Sequence, residues 1–117
     1  MNKSSKRRQL HAQCWVDVDG KKFFGPGRAE LLRLIHDTGS IAEAARMLGM
    51  SYKKAWFMVS EMNSKGSSPY VIAKKGGKKG GGTFVTKSGL KVLKSYDQLA
   101  HQINSIVEEK NDLLKFI

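Results

Sequence analysis

An α+β fold, mostly α, is predicted by three observations. Residues 40–64, SIAEAARMLGMSYKKAWFMVSEMNS, read as two short helices joined by a tight turn. A basic glycine-rich stretch, KKGGKKGGG at 74–82, lies between two short β-prone runs. A wide apolar pattern of helical period fills residues 87–116. Together they describe a winged helix-turn-helix with an N-terminal β-hairpin, a two-stranded wing and a long C-terminal dimerisation helix. With 117 residues the chain supports one domain and a modest core. It divides into a disordered basic arm (1–9), a winged helix-turn-helix domain (10–89) and a dimerisation helix (90–117).

The arm, MNKSSKRRQ, carries Lys3, Lys6, Arg7 and Arg8. It reads as a solvated tail or as an extra phosphate or minor-groove contact. Residues 10–24 read as a hairpin. Cys14, Val16 and Val18 alternate with Trp15, Asp17 and Asp19, Asp19-Gly20 turns the chain, and Lys21–Phe24 returns. Pro26 suits the first turn of a helix, where no N–H is needed. That helix runs to about Asp37, with Leu31, Leu32, Leu34 and Ile35 on its core side. Thr38-Gly39 stops it.

Ser40 caps the next helix, and Glu43 three residues on completes a Ser-x-x-Glu pattern. Ala42, Ala45 and Leu48 recur at helical spacing, the small pair Ala44-Ala45 permits close packing, and Gly49 breaks the helix. Ser51 then caps a second helix. There Tyr52, Ala55, Trp56, Val59 and Met62 are expected on one buried face, with Lys53, Lys54, Phe57 and Glu61 on the other. A core-locked stripe backed by a lysine-bearing face suits a helix that enters the major groove.

Gly66-Ser67-Ser68-Pro69 breaks that helix, and Tyr70–Ala73 and Thr83–Thr86 are expected to pair as strands. As a nucleotide phosphate loop the stretch between them fails: no GxxxxGK[ST] is present. A flexible linker would be less charged. A wing, whose glycines allow close approach to a phosphate backbone and whose lysines neutralise it, fits best. Thr86 or Ser88 caps the last helix. Leu93, Tyr96, Ala100, Ile103, Val107, Leu114 and Ile117 follow a heptad seam broken by Lys110, widened by Val92, Leu99, Ile106 and Leu113. Its first turns fold back on the domain, and the remainder is wide enough to pair two chains.

The formal net charge is +11. Residues 1–94 hold 19 Lys and Arg against 6 Asp and Glu, whereas residues 95–117 hold 2 against 4. The positive charge therefore sits with the helix pair, and its partner is a polyanion. No stretch approaches the roughly 20 apolar residues of a membrane span, and no apolar h-region follows the basic start. No membrane partner is expected, and a cytoplasmic, nucleoid-associated location is. The one cysteine, Cys14, excludes an internal disulfide and reads as a small buried hydrophobe. His11, His36 and His101 are scattered, without metal-ligand spacing, and His36 suits a helix C-terminus. No enzyme is expected.

Two stretches, GPGRAELLRLIHDTGSIAEAARMLGMSYKKAWFMVSEMN at 25–63 and GGKKGGGTFVTKSG at 76–89, resemble the N-terminal winged-helix domain of the ModE family of molybdate-responsive regulators. The resemblance runs from the hairpin to the last helix. It implies a homodimeric double-stranded DNA-binding module, with Ser51, Tyr52, Lys53, Lys54 and the wing at or near DNA. Candidate DNA contacts are thus Ser40, Ser51, Tyr52, Lys53, Lys54, Phe57, Lys74, Lys75, Lys78, Lys79 and Gly80. Candidate dimer contacts are Leu93, Tyr96, Ala100, Ile103, Val107 and Leu114. Members of that family carry C-terminal molybdate-binding domains, and this sequence ends at Ile117. No cofactor is therefore expected, nor molybdate binding by this chain alone; constitutive binding, control by protein level, or a signal from a separate sensor protein are the three outcomes left open. The expected function is sequence-specific transcriptional regulation; the alternative is a non-specific architectural nucleic-acid-binding protein, set apart by its low preference between sequences.

Overall fold

The computed structural model describes residues 6–74 and 82–117. Strands β1 (Val16–Val18) and β2 (Lys21–Phe24) form an antiparallel hairpin. Asp19 and Gly20 both have positive φ, 51° and 77°, the geometry of a two-residue turn that matches strand twist. Phe23 and Phe24 are both buried. Consecutive strand residues ordinarily point to opposite faces, and the register shift between Val16 and Asp17 is what lets both rings turn inward. Strand pairing begins at Val16, not at Cys14: residues 10–15 run outside the hairpin.

Helix α1 (Pro26–Thr38) places Ala29, Leu31, Leu32 and Ile35 in the core. Gly39, at φ 71°, closes it and donates its N–H to the Ile35 carbonyl at 2.8 Å. Helix α2 (Ile41–Leu48) ends the same way at Gly49, φ 67°. Its core side is Ile41, Ala44, Ala45 and Leu48; Ala42, expected inside, is exposed, because the Ala44-Ala45 pair sits one residue round the helix from it. Helix α3 (Tyr52–Lys65) buries Ala55, Val59 and Met62. Alanines on both sides of the α2–α3 crossing, at 44, 45 and 55, bring the two helices close. Leu31, Leu32, Ile35 and Met62 form the fully buried centre.

Strands β3 (Val71–Lys74) and β4 (Gly82–Val85) pair antiparallel, with Val71 opposite Val85 and Ile72 opposite Phe84. Each lies one residue from its expected bounds. Helix α4 (Lys87–Glu109) is capped by Thr86, whose hydroxyl accepts from the Gly89 N–H at 3.1 Å. Gly89 is required: a Cβ there would lie 2.6 Å from the Tyr70 carbonyl oxygen and 2.7 Å from Val85 Cγ1. Leu93 completes the core, and the Arg33 guanidinium on α1 bonds Asp97 at 2.6 Å. Beyond that point α4 projects from the domain and gives the molecule its elongated outline, 64 × 31 × 23 Å. It stops at Glu109, and Asn111–Phe116 continues as a 3₁₀ segment rather than as the same α-helix. Lys110, exposed where the seam calls for an apolar residue, stands at the junction, and the turn tightens there.

Candidate nucleic-acid interface

The interface is built from two caps. Ser40 Oγ accepts from the Glu43 N–H at 3.0 Å, and Ser51 Oγ accepts from the Lys54 N–H at 3.0 Å. Only half of the expected capping box forms at α2. The Ser40 N–H donates to Thr38 Oγ1 at 3.2 Å, while the Glu43 carboxylate turns to Arg46. That pairing holds the Glu43 carboxyl below its usual range. Ser40 is half-buried beneath this cap, whereas Ser51 is exposed at the mouth of α3.

Successive residues on α3 step by about 100°. Ala55, Val59 and Met62 mark the centre of its buried seam. Trp56 falls about 100° from that centre and Tyr52 about 60°. Both lie outside, Trp56 by its angle and Tyr52 because it stands on the first turn, beyond the core: Tyr52, Trp56 and Phe57 are each 55% exposed. This corrects the expected buried stripe, which was too wide. The small side chains at the α2–α3 crossing leave room only for a narrow seam. Lys53 and Lys54 are exposed on the same outer surface.

Glu61, expected outward with the lysines, is half-buried instead and paired with Arg28 and Lys65. Arg28 also donates to the Phe23 carbonyl at 2.8 Å, so one guanidinium ties α1, β2 and α3 together. The hydrogen bond from Arg28, then that from Lys65, holds the Glu61 carboxyl below the usual glutamate range. The negative charge on α3 is thus compensated.

Asn63 is a structural residue that no expected contact includes. Its Oδ1 accepts from the N–H groups of Tyr70 and Val71 at 2.9 and 3.0 Å, and its Nδ2 donates to the Val71 carbonyl at 2.8 Å. It joins the end of α3 to the first wing strand. The signal was an asparagine in the last turn of a helix followed by Gly and Pro. The Thr83 N–H donates to the Gly39 carbonyl at 3.0 Å, tying the second wing strand to the α1–α2 turn. Lys74 is exposed at the base of the wing, with its Nζ 5.0 Å from the centre of the Phe84 ring. Lys75, Lys78, Lys79 and Gly80 lie outside the described residues.

On α4 the expected dimer contacts divide. Leu93 is buried in the chain's own core. The Tyr96 hydroxyl donates to the Cys14 carbonyl at 2.9 Å, and its ring meets Phe24 edge to face. Ala100, Ile103 and Val107 line a groove whose other wall is Leu10–Cys14. Leu114 lines its continuation with Arg8–His11. Residues 8–14 therefore run along α4, and Cys14 is half-buried beside it. The uncovered apolar side is Leu99, Ile106 and Leu113, with Val16 beside its base; all four are exposed.

Among the described residues, no three His, Cys, Asp or Glu side chains converge to hold a metal ion, and no helix is long and apolar enough to cross a membrane.

No family model matches the chain. It is similar to the transcriptional regulator ModE of Yersinia pestis, 39% identical over 100 residues, covering 86% of this chain and 36% of that protein. The DNA-binding transcriptional dual regulator ModE of Escherichia coli K12 is 41% identical over 85 residues, 73% of this chain and 32% of that protein. The molybdenum-pterin-binding protein MopB of Rhodobacter capsulatus is 47% identical over 72 residues, 62% and 27% respectively. The chain spans about a third of the length of the relatives it matches.

Proposed function

We propose that this chain, which is homologous to part of the ModE-family regulators, is a sequence-specific double-stranded DNA-binding regulator. Helix α3 enters the major groove and the wing lies on the phosphate backbone. One observation carries the reading: α3 is locked by Ala55, Val59 and Met62 while Tyr52, Lys53, Lys54, Trp56 and Phe57 remain exposed on its first two turns. The N-terminal turns of a recognition helix are those that meet base edges. Ser51 and Ser40 stand at the starts of α3 and α2, where free N–H groups and hydroxyls favour phosphate. Lys74, and with it Lys75, Lys78, Lys79 and Gly80, supplies wing contacts to phosphate.

The functional unit is a homodimer held through α4. Val92, Leu99, Ile106 and Leu113 recur every seven residues on the uncovered side, the spacing of a two-helix seam, with Tyr96, Ile103 and Ile117 at the alternate positions, where Tyr96 and Ile103 also meet the chain's own residues 10–14. Lys110 interrupts it. Ala100, Val107 and Leu114 support the seam from the side that residues 8–14 cover. A two-fold pair favours an inverted repeat.

The test is selection from a random-sequence duplex library, followed by titration of the enriched and scrambled duplexes. A clear preference for the enriched duplex supports the regulator. Equal affinity for both replaces it with the architectural reading.

A further inference from the structure

We propose that the aromatic face of α3 reads the 5-methyl groups of thymine in the major groove, through Tyr52, Trp56 and Phe57. The proposal rests on the DNA-binding reading above and specifies its base chemistry.

Three large aromatic side chains, each 55% exposed, lie within six residues on the outer side of one helix. Grouped exposure of this kind marks a binding surface rather than ordinary surface scatter. The angular order places Lys53 between Trp56 and Phe57, with Tyr52 beside Trp56. A basic group thus sits inside an apolar patch, and Lys54 flanks it. The carboxylate on the same helix, Glu61, is compensated by Arg28 and Lys65 and does not repel a polyanion. The occupant is therefore anionic and presents apolar groups to the patch.

On the major-groove edges of the four bases, thymine alone presents a methyl group, a far larger apolar surface than the C5–H of cytosine. The other edge groups are hydrogen-bond donors and acceptors, and phenylalanine can satisfy none of them. Phe57 in particular has no polar atom with which to read guanine, cytosine or adenine. Phosphates are excluded as its partner on the same ground. Lys53, between the rings, is free for a phosphate or a guanine edge. A protein partner is the other occupant such a face can take, and the experiment separates it.

The probe is the duplex enriched from a random-sequence library, resynthesised with deoxyuridine in place of thymidine. That change removes the 5-methyl groups and keeps every pairing atom. Removing one buried methyl should weaken binding about fourfold, the transfer value of a single carbon. Replacement throughout the site should weaken it about tenfold or more. Trp56→Ala and Phe57→Ala, with folding checked by circular dichroism, should each weaken the thymidine duplex and bring the two affinities together. Lys53→Ala should weaken both duplexes and preserve their ratio. Equal affinity of the wild-type protein for the two duplexes overturns the proposal and leaves the regulator reading standing. So does a thymidine preference that Trp56→Ala and Phe57→Ala leave intact, which assigns it to duplex shape. If no duplex is enriched but duplex DNA still binds, the architectural reading replaces the regulator and the proposal falls with it; if no duplex binds at all, the DNA reading falls and the aromatic face is a protein-docking surface.

Discussion

The carboxamide of Asn63 holds both backbone polar groups of Val71, donating to its carbonyl at 2.8 Å and accepting from its N–H at 3.0 Å. The side chain acts as a short strand edge, and it fixes the base of the wing against the end of α3. It joins the wing to α3 directly, in addition to the Gly66–Pro69 connection between them.

Asn63→Ala should therefore destabilise the domain by about 1–3 kcal/mol, the usual cost of leaving buried backbone groups unpaired. Urea denaturation followed by circular dichroism measures it. An unchanged midpoint would mean that water or a neighbouring side chain replaces the amide at no cost.

Met62 and Trp56 should respond in opposite ways. Met62 is fully buried, and Met62→Ala should cost about 2–5 kcal/mol. Trp56 is more than half exposed, and Trp56→Ala should change stability by only about 0.5 kcal/mol while weakening DNA binding. Thermal unfolding and duplex titration of both variants check the pair. A large stability loss from Trp56→Ala would restore the buried assignment.

The caps and stops around α2 and α3 were legible because they are local. Ser40, Gly49 and Ser51 act on groups three or four residues away, and their residue types announce it. Trp56 was not legible in the same way. Positions 52, 55, 56, 59 and 62 all match helical spacing, and the width of the buried stripe is set by how closely α2 approaches. Ala44, Ala45 and Ala55, all buried in the same core, are small enough to let the two helices pack closely. Asn63 bonds residues beyond the Gly66–Pro69 turn, and Arg8–Cys14 follows α4 without any periodic pattern of its own. Neither has a local signature. On α4 the heptad spacing was plain, but which side the chain covers itself follows only from the path of residues 8–14.

Leu99→Glu together with Ile106→Glu should convert a dimer to a folded monomer. Both positions are exposed on α4, at 47% and 56%, and neither belongs to the core. Sedimentation velocity reads the association state and circular dichroism the fold. A doubly substituted chain that remains dimeric would place the interface elsewhere.

Acid should loosen the junction of α1, β2 and α3. Glu61 has its folded pKa depressed by Arg28 and then Lys65. A depressed carboxylate contributes stability above its unfolded pKa, and that contribution is lost as pH falls through the folded value. Stability should therefore decline below the ordinary glutamate range, and Glu61→Gln should flatten that part of the profile. Urea midpoints at a series of pH values from neutral downward test it, and parallel profiles for the two proteins would contradict it.

The most direct measurement is a salt series of duplex titrations with the enriched and the scrambled sequence side by side. The account predicts that the enriched duplex binds at least about 10³-fold more tightly at physiological salt. It also predicts that affinity for both falls by orders of magnitude, about 10³ or more for some six phosphate contacts, between 50 and 200 mM salt. Lys74→Ala should shallow both salt slopes without changing the preference. Equal affinity for the two duplexes, or a flat response to salt, would contradict a basic winged helix-turn-helix that reads sequence through α3.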